Sequence, residues 1–226
     1  MKYKAILLDI DNTLYDYEVP HSAAKRSVIN FCWNEFKIPD EVILSAYAKS
    51  RDRVHTELVE TAASHNRLLY FQKMCELLDI NSLMYALKIY NVYWDKFLEK
   101  MEPFDGVDKL FQKYNNNICL VTDLTAHIQF RKIEKLKLSN FCNTMVTSEE
   151  AGKEKPHPYI FLLALQKLNL NINDVCMIGD NFRKDIYGAS NLGIDAIWLN
   201  HKKSKQDFKN KDIQEVSELA DILDLL

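Results

Sequence analysis

Five short apolar segments alternate with helical patterns along much of this chain. Runs rich in Val, Ile and Leu, without polar residues at alternate positions, lie at 4–8, 118–122, 144–147, 175–178 and 196–199. Such runs are typical of strands that are buried on both faces of a sheet. Helical patterns follow at 126–136, 159–168 and 185–192, and Pro158 suits the first turn of the middle helix. This alternation predicts an α/β fold with a parallel sheet and helices on both of its faces.

The segment 16–101 shows no convincing strand pattern and is predicted to be entirely helical. Helical periodicity recurs at 23–36, 41–62, 67–78 and 82–100. Asp40 and either Asn81 or Ser82 are the expected N-caps of the second and fourth helices. The dense aromatic residues of this segment are expected to form the core of a helical bundle. We therefore predict an α/β core of residues 1–15 and 102–226 with an inserted helical cap of residues 16–101.

Composition and charge narrow the class of protein. The chain has 226 residues, of which 47% are apolar and 27% are charged, as in an ordinary soluble globular protein. The net charge of −3 gives no indication of a nucleic-acid-binding surface. Five scattered cysteines without a CxxC pair suggest buried thiols in a reducing cytoplasm. The first apolar run is too short for a signal peptide or a membrane span, so we expect a cytoplasmic protein with no membrane partner. The oligomeric state is left open.

Carboxylates follow two of the predicted strands. Asp9 and Asp11 end the first strand, while Asp180 and Asp185 follow the fourth. In parallel sheets, ligands bind at the carboxyl ends of the strands, so these side chains are expected to meet if the two strands are neighbours. Two like charges about 4 Å apart repel by about 4 kcal/mol at an effective dielectric constant of about 20. A hard cation such as Mg²⁺ is the natural compensation for a set of oxygen ligands.

A lysine and a threonine extend this candidate site. Lys155 lies between a predicted strand and a predicted helix, where an ammonium group can neutralise a phosphoryl group. The residues alone do not distinguish it from Lys153. Thr122 ends the second strand, and its hydroxyl could bind phosphate oxygens or instead cap the next helix.

Four segments together resemble the haloacid dehalogenase superfamily of phosphotransferases. DIDNTL at 9–14 resembles the first motif of the family, VTD at 121–123 the second, KP at 155–156 the third and GDNFRKD at 179–185 the fourth. They occur in the expected order along essentially the whole chain. The resemblance implies a Rossmann-like parallel sheet core and a helical cap, inserted after the first motif, that closes over the active site.

The family's chemistry implies a role for each matching residue. Asp9 would attack phosphorus and form an aspartyl-phosphate, and Asp11 would protonate the leaving oxygen and then deprotonate water. Thr122 would bind the phosphoryl oxygens. Lys155, which the KP match selects over Lys153, would stabilise Asp9 and the transferring group.

The resemblance also implies a magnesium site. Asp9, Asp180 and the backbone carbonyl of Asp11 would bind Mg²⁺, and Asp185 would bind it directly or through water.

The second motif departs from the family pattern, because Thr122 is followed by Asp123 and Leu124 rather than by Asn-Gly. The backbone donors at Asp123 are kept for phosphate, but its carboxylate adds negative charge nearby unless it points away.

The motifs favour a phosphatase that acts on a small phosphorylated metabolite. Asp11 argues against the dehalogenase branch, which lacks an acid at this position. A phosphomutase of the same fold and a non-catalytic binding scaffold remain the alternatives. The whole pattern is similar to the subgroup of nucleotidases and N-acylneuraminate-9-phosphate phosphatases, which implies a nucleotide or a sugar phosphate as substrate.

Substrate choice is expected to depend on polar residues of the cap. His65, Arg67 and Arg51 are candidate specificity residues, although each could instead lie on the surface or pack within the cap. The Lys-rich segment 201–212 is expected to be a solvated loop, with a substrate-binding patch as the alternative.

Overall fold

The computed structural model describes residues 2–206 and 213–226. The second half of the predicted loop at 201–212 therefore lies outside the described residues. The chain forms two compact units: one contains the described residues up to Asp16 and from Glu102 onward, and the other is Tyr17–Met101. No helix within the described ranges is both long and apolar enough to cross a membrane.

The first unit is built on a parallel sheet of six strands. The strands are β1 (Ala5–Leu8), β2 (Ile118–Thr122), β3 (Thr144–Thr147), β4 (Val175–Gly179), β5 (Asp195–Leu199) and β6 (Gln214–Val216). Their order across the sheet is β3-β2-β1-β4-β5-β6, and all neighbouring pairs are parallel. The five predicted strands and the parallel sheet are confirmed. The short β6 was not predicted, since two of its three residues are exposed and it has no apolar run.

Both faces of the sheet are buried, as the continuous apolar runs indicate. Helices of this unit are α5 (Val107–Lys113), α6 (Ala126–Lys135), α7 (Ser148–Ala151), α8 (Pro158–Leu168) and α9 (Gly188–Ser190). On one face, Leu7 and Met177 pack in a cluster with Phe161 of α8. Their neighbours Ile6 and Ile178 point the other way and are equally buried. The prediction of a helix at 185–192 was only partly right, because a π-helical segment, Phe182–Tyr187, precedes α9.

The second unit is entirely helical. Its helices are α1 (Glu18–Phe36), α2 (Asp40–Glu57), α3 (Arg67–Leu77) and α4 (Ser82–Lys100), with a 3₁₀ turn at Ala62–His65. Asn81 caps α4 by accepting a hydrogen bond from the Met84 N–H. The prediction that Asp40 is an N-cap was wrong: Pro39 holds that position, and Asp40 is the first helical residue. An acidic residue also favours the first turn of a helix, because it complements the positive end of the helix dipole.

Candidate active site

The strand order places the two acidic segments side by side. β1 lies at the middle of the sheet and pairs with both β2 and β4. Asp9 follows β1, and its N–H donates to the carbonyl of Ile178 at 3.0 Å. Asp180 follows Gly179, the last residue of β4. The carboxyl edge of the sheet therefore carries both segments, as the sequence suggested for neighbouring strands.

Lys155 connects the two segments through its ammonium group. Its side chain is almost completely buried, and Nζ lies 2.6 Å from Asp9 Oδ1 and 2.7 Å from Asp185 Oδ1. Nζ also donates to the carbonyl of Val121 on β2 at 2.8 Å. The ammonium thus connects the segments that follow β1 and β4 to the end of β2. Lys153, the alternative from the sequence, is only partly buried.

Asp9, Asp180 and Asp185 form a carboxylate cluster with the geometry of a cation site. One oxygen of each lies within 4.8 Å of the others. Burial raises the pKa of Asp9 to about 7, even though Lys155 acts in the opposite direction. Burial and the nearby Asp9 raise the pKa of Asp180 to about 8. One ammonium does not compensate three clustered carboxylates, two of which are buried, so this all-oxygen donor set fits a hard divalent cation.

The loop after β4 holds Asp185 in this cluster. Asp185 Oδ2 accepts a hydrogen bond from the Asn181 N–H at 2.9 Å. Gly179 leaves the space that this carboxylate fills, since a methyl group at Gly179 would collide with the Asp185 side chain. Thr13 ties the two acidic segments together, because its hydroxyl donates to Asp9 at 3.0 Å and accepts from the Asp180 N–H at 3.1 Å.

The side chain of Asp11 is directed to a different set of partners. Its Oδ1 lies 2.5 Å from Nζ of Lys132 and accepts a hydrogen bond from the Tyr15 hydroxyl, while Oδ2 accepts from Gln129 at 3.2 Å. Burial raises the pKa of Asp11, but the charge of Lys132 and the hydrogen bonds from Lys132, Tyr15 and Gln129 together hold that pKa below its usual value. Of the four predicted metal-binding residues, Asp11 is therefore the one whose side chain lies outside the carboxylate cluster.

The sequence did not identify Lys132, Gln129 and Tyr15 as partners of Asp11. Lys132 is fully buried on α6, one turn after Gln129. A lysine and a glutamine at helical spacing among buried isoleucines are a weak signal, because long polar side chains are usually solvated. Tyr15 lies four residues after Asp11, which is a local spacing that could have been considered.

Thr122 and Asp123 lie where the chain leaves β2. The Thr122 hydroxyl is buried and accepts a hydrogen bond from Gln129 at 2.6 Å. Asp123 Oδ1 accepts from the Lys155 N–H at 2.9 Å, and Oδ2 lies 2.8 Å from Nζ of Lys184. One carboxylate oxygen of Asp123 therefore holds the backbone of Lys155, and the other pairs with Lys184 in the segment that follows β4. Its charge is compensated by Lys184, a partner that the sequence did not reveal.

The three candidate specificity residues all lie in the helical unit. The Arg67 guanidinium is buried at the start of α3 and contacts the hydroxyl of Tyr17. Four aromatic rings surround the guanidinium, with centroids 5.1–5.9 Å from its carbon Cζ: those of Tyr17, Tyr70, Tyr93 and Trp94. His65 packs against His55, with ring centroids 4.8 Å apart. Arg51 is exposed on α2, and its Nη1 lies 4.0 Å from Oδ1 of Asp52.

The sequence profile of haloacid dehalogenase-like hydrolases matches residues 6–199. The chain belongs to this family. Two curated relatives act on sugar phosphates by name. The ribulose-1,5-bisphosphate 5-phosphatase of Halopiger xanaduensis is 31% identical, covering 96% of this chain and 93% of the relative. The glyceraldehyde 3-phosphate phosphatase of Pyrococcus furiosus is 27% identical, with 100% and 93% coverage.

A nucleotidase and a solved structure also resemble the chain. The pyrimidine 5'-nucleotidase YjjG of Escherichia coli is 25% identical, covering 100% of this chain and 99% of the relative. A crystal structure of the HAD-hydrolase YfnB of Bacillus subtilis, which is bound to magnesium, superposes with a TM-score of 0.73 at 19% identity, covering 100% and 99% of the two chains. These matches confirm the resemblance to a nucleotidase-like group of this family and the α/β fold with a helical insertion.

The pair of Lys132 and Asp11 gives a testable prediction about this hydrolase. Lys132→Met should lower the free energy of unfolding at pH 7 by about 3 kcal/mol, because it leaves an ionised, largely buried Asp11 without its cation. The measurement is urea denaturation followed by circular dichroism. Lys135→Met, on an exposed position of the same helix, is the control and should change stability by less than about 0.5 kcal/mol. Equal stability of the Lys132 variant and the parent would show that the pair contributes nothing.

Proposed function

We propose that the chain is a Mg²⁺-dependent phosphatase that hydrolyses a small phosphate monoester through an aspartyl-phosphate. The observation that carries this proposal is the position of Nζ of Lys155, within 2.7 Å of both Asp9 and Asp185. An ammonium between a candidate nucleophile and a cation site can neutralise a phosphoryl group that is transferred there. The family and the named activities of its relatives support the same reaction class.

The side chains of Asp9, Asp180 and Asp185 and the backbone carbonyl of Asp11 would hold Mg²⁺. The buried cluster of three carboxylates and the magnesium bound to YfnB support this assignment. When bound, the ion would neutralise negative charge on the phosphoryl oxygens and on the carboxylates around it.

Asp9 is proposed as the nucleophile. The Thr13 hydroxyl donates to its Oδ2, and Lys155 pairs with its Oδ1, so the orientation of the carboxylate is fixed from two sides. One Asp9 oxygen would attack phosphorus, forming the new P–O bond while the bond from phosphorus to the ester oxygen breaks. Lys155 opposes the effect of burial and favours the anionic form of Asp9.

Asp11 is proposed as the proton carrier. The leaving oxygen would take a proton from Asp11, which would then accept one from the water that cleaves the aspartyl-phosphate. The contacts from Lys132, Tyr15 and Gln129 hold Asp11 as an oriented carboxylate, the form required to activate water. To serve the first step, Asp11 must gain a proton before the leaving oxygen departs.

The phosphoryl oxygens would be bound by Lys155, the Thr122 hydroxyl and the Asp123 N–H. Since the Asp123 carboxylate is paired with Lys184 and with the Lys155 N–H, it does not oppose an anion as an unpaired charge. This arrangement supports phosphate binding despite the missing Asn-Gly of the second motif.

The proposed substrate is a sugar phosphate or a nucleotide. The relatives named above act on both classes. We also propose that the helical unit is a cap that selects the substrate through Arg67, His65 and Arg51.

All five cysteines are buried and free of disulfides, which supports the proposed cytoplasmic location. A phosphomutase or a binding scaffold would need the same fold but would not release phosphate.

Phosphate release from a panel of esters tests the function. The panel contains ribulose 1,5-bisphosphate, glyceraldehyde 3-phosphate, uridine 5'-phosphate and an aryl phosphate, each with Mg²⁺ and with chelator. We expect release that requires Mg²⁺, with the preferred ester identifying the substrate class. Absence of release from every ester, with Mg²⁺ binding intact, would contradict a phosphatase and favour one of the two alternatives.

Lys155 should matter far more for turnover than its neighbour Lys153. Lys155→Ala is expected to reduce kcat by at least about 100-fold, because a buried ammonium at the transferring group is lost. Lys153→Ala, two residues away, serves as the matched control and should stay within about threefold of the parent. Equal losses in the two variants would reject the assignment of Lys155.

A further inference from the structure

A cavity of about 230 Å³ lies beside the carboxylate cluster within the first unit. Asp180 and Asn12, which follow β4 and β1, line it. Phe104 lines it too, together with His201, Lys202 and Ser204 of the loop after β5. Because a residue of the proposed metal site lines this cavity, a phosphate ester bound at Asp9 has a neighbouring space for the rest of its structure.

The loop after β5 is held in a defined shape by one asparagine. Asn200 donates to the carbonyl of Ser204 at 3.0 Å and to Glu215 of β6 at 2.7 Å, and it accepts from the Ser204 N–H at 3.0 Å. The ring of His201 packs on Phe104, with centroids 4.6 Å apart. A loop fixed in this way is suited to recognise a ligand, since little conformational entropy is lost on binding.

Lys202 is the lysine that lines the cavity. Lys203 and Lys205 lie exposed in the same loop but do not line it. Within the described residues, no carboxylate pairs with Lys202. The imidazole Nε2 of His201 is also buried without a hydrogen-bond partner there. Two carboxylates also line the cavity, those of Asp16 and Asp180, and Asp180 belongs to the proposed metal site, where a bound cation would compensate its charge.

We propose that this cavity binds the leaving group of the substrate and that Lys202 recognises a second anionic group on it, either a phosphate or a carboxylate. The inference rests on the proposed phosphatase function and adds a substrate class to it. A bisphosphate or a phosphorylated acid would place its reacting phosphate at Asp9 and its second anion at Lys202. His201 would donate or accept a hydrogen bond beside it.

Binding to a protein that cannot turn over tests this inference separately from catalysis. The dissociation constants are measured by calorimetry with Mg²⁺ in an Asp9→Asn background. Two pairs of ligands differ by one anionic group each: ribulose 1,5-bisphosphate with ribulose 5-phosphate, and 3-phosphoglycerate with glycerol 3-phosphate. We expect the doubly anionic member of at least one pair to bind about 10-fold more tightly, and the pair that shows this identifies the second anion.

Lys202→Gln should abolish this preference, mainly by weakening binding of the doubly anionic ligand. Lys205→Gln, an exposed neighbour that does not line the cavity, is the matched control and should keep it. The preference should also shrink at high ionic strength. Equal affinities within both pairs, or equal weakening of both members by Lys202→Gln, would overturn the inference. If the doubly anionic ligand binds more tightly but the parent protein, which carries Asp9, releases no phosphate, only the proposed function is overturned.

Discussion

The ammonium of Lys155 is the contact on which the rest of the site depends. It lies between Asp9 and Asp185 and also reaches the backbone of β2, so one buried charge joins the segments after β1 and β4 to β2 at the carboxyl edge of the sheet. Without it, two buried carboxylates would face each other with no compensating charge. The cost of such an arrangement, several kcal/mol for each unpaired ion, is comparable to the whole stability of a domain.

A second group of contacts holds these charged residues in place. Asp123 positions the backbone of Lys155 and is itself neutralised by Lys184. Lys132 performs the corresponding function for Asp11. The two proposed catalytic carboxylates consequently have separate cations, so Asp9 and Asp11 lie in different electrostatic environments although they are two residues apart. Such a separation suits a reaction that needs a nucleophile and a proton carrier side by side.

The sequence predicted most of the architecture and the acidic segments. Continuous apolar runs predicted five strands, and the order of β1 and β4 then brought Asp9 and Asp180 together. The contacts of Lys132 and Lys184 could not be found in this way. Lys132 and Asp11 are 121 positions apart, and Lys184 and Asp123 are 61 apart, so nothing local in the sequence indicates either pair. Asp40 was misplaced by one position, because capping and first-turn preferences favour the same residue type.

The central claim is that Asp9 becomes phosphorylated during turnover. The most direct measurement is acid quenching during turnover of the preferred ester, followed by borohydride reduction and mass spectrometry of the tryptic peptides. An aspartyl-phosphate is an acyl phosphate, which borohydride reduces to homoserine. The account predicts homoserine at position 9 and unchanged aspartate at positions 11, 180 and 185. Homoserine at another of these positions, or none at all while phosphate is being released, would contradict it.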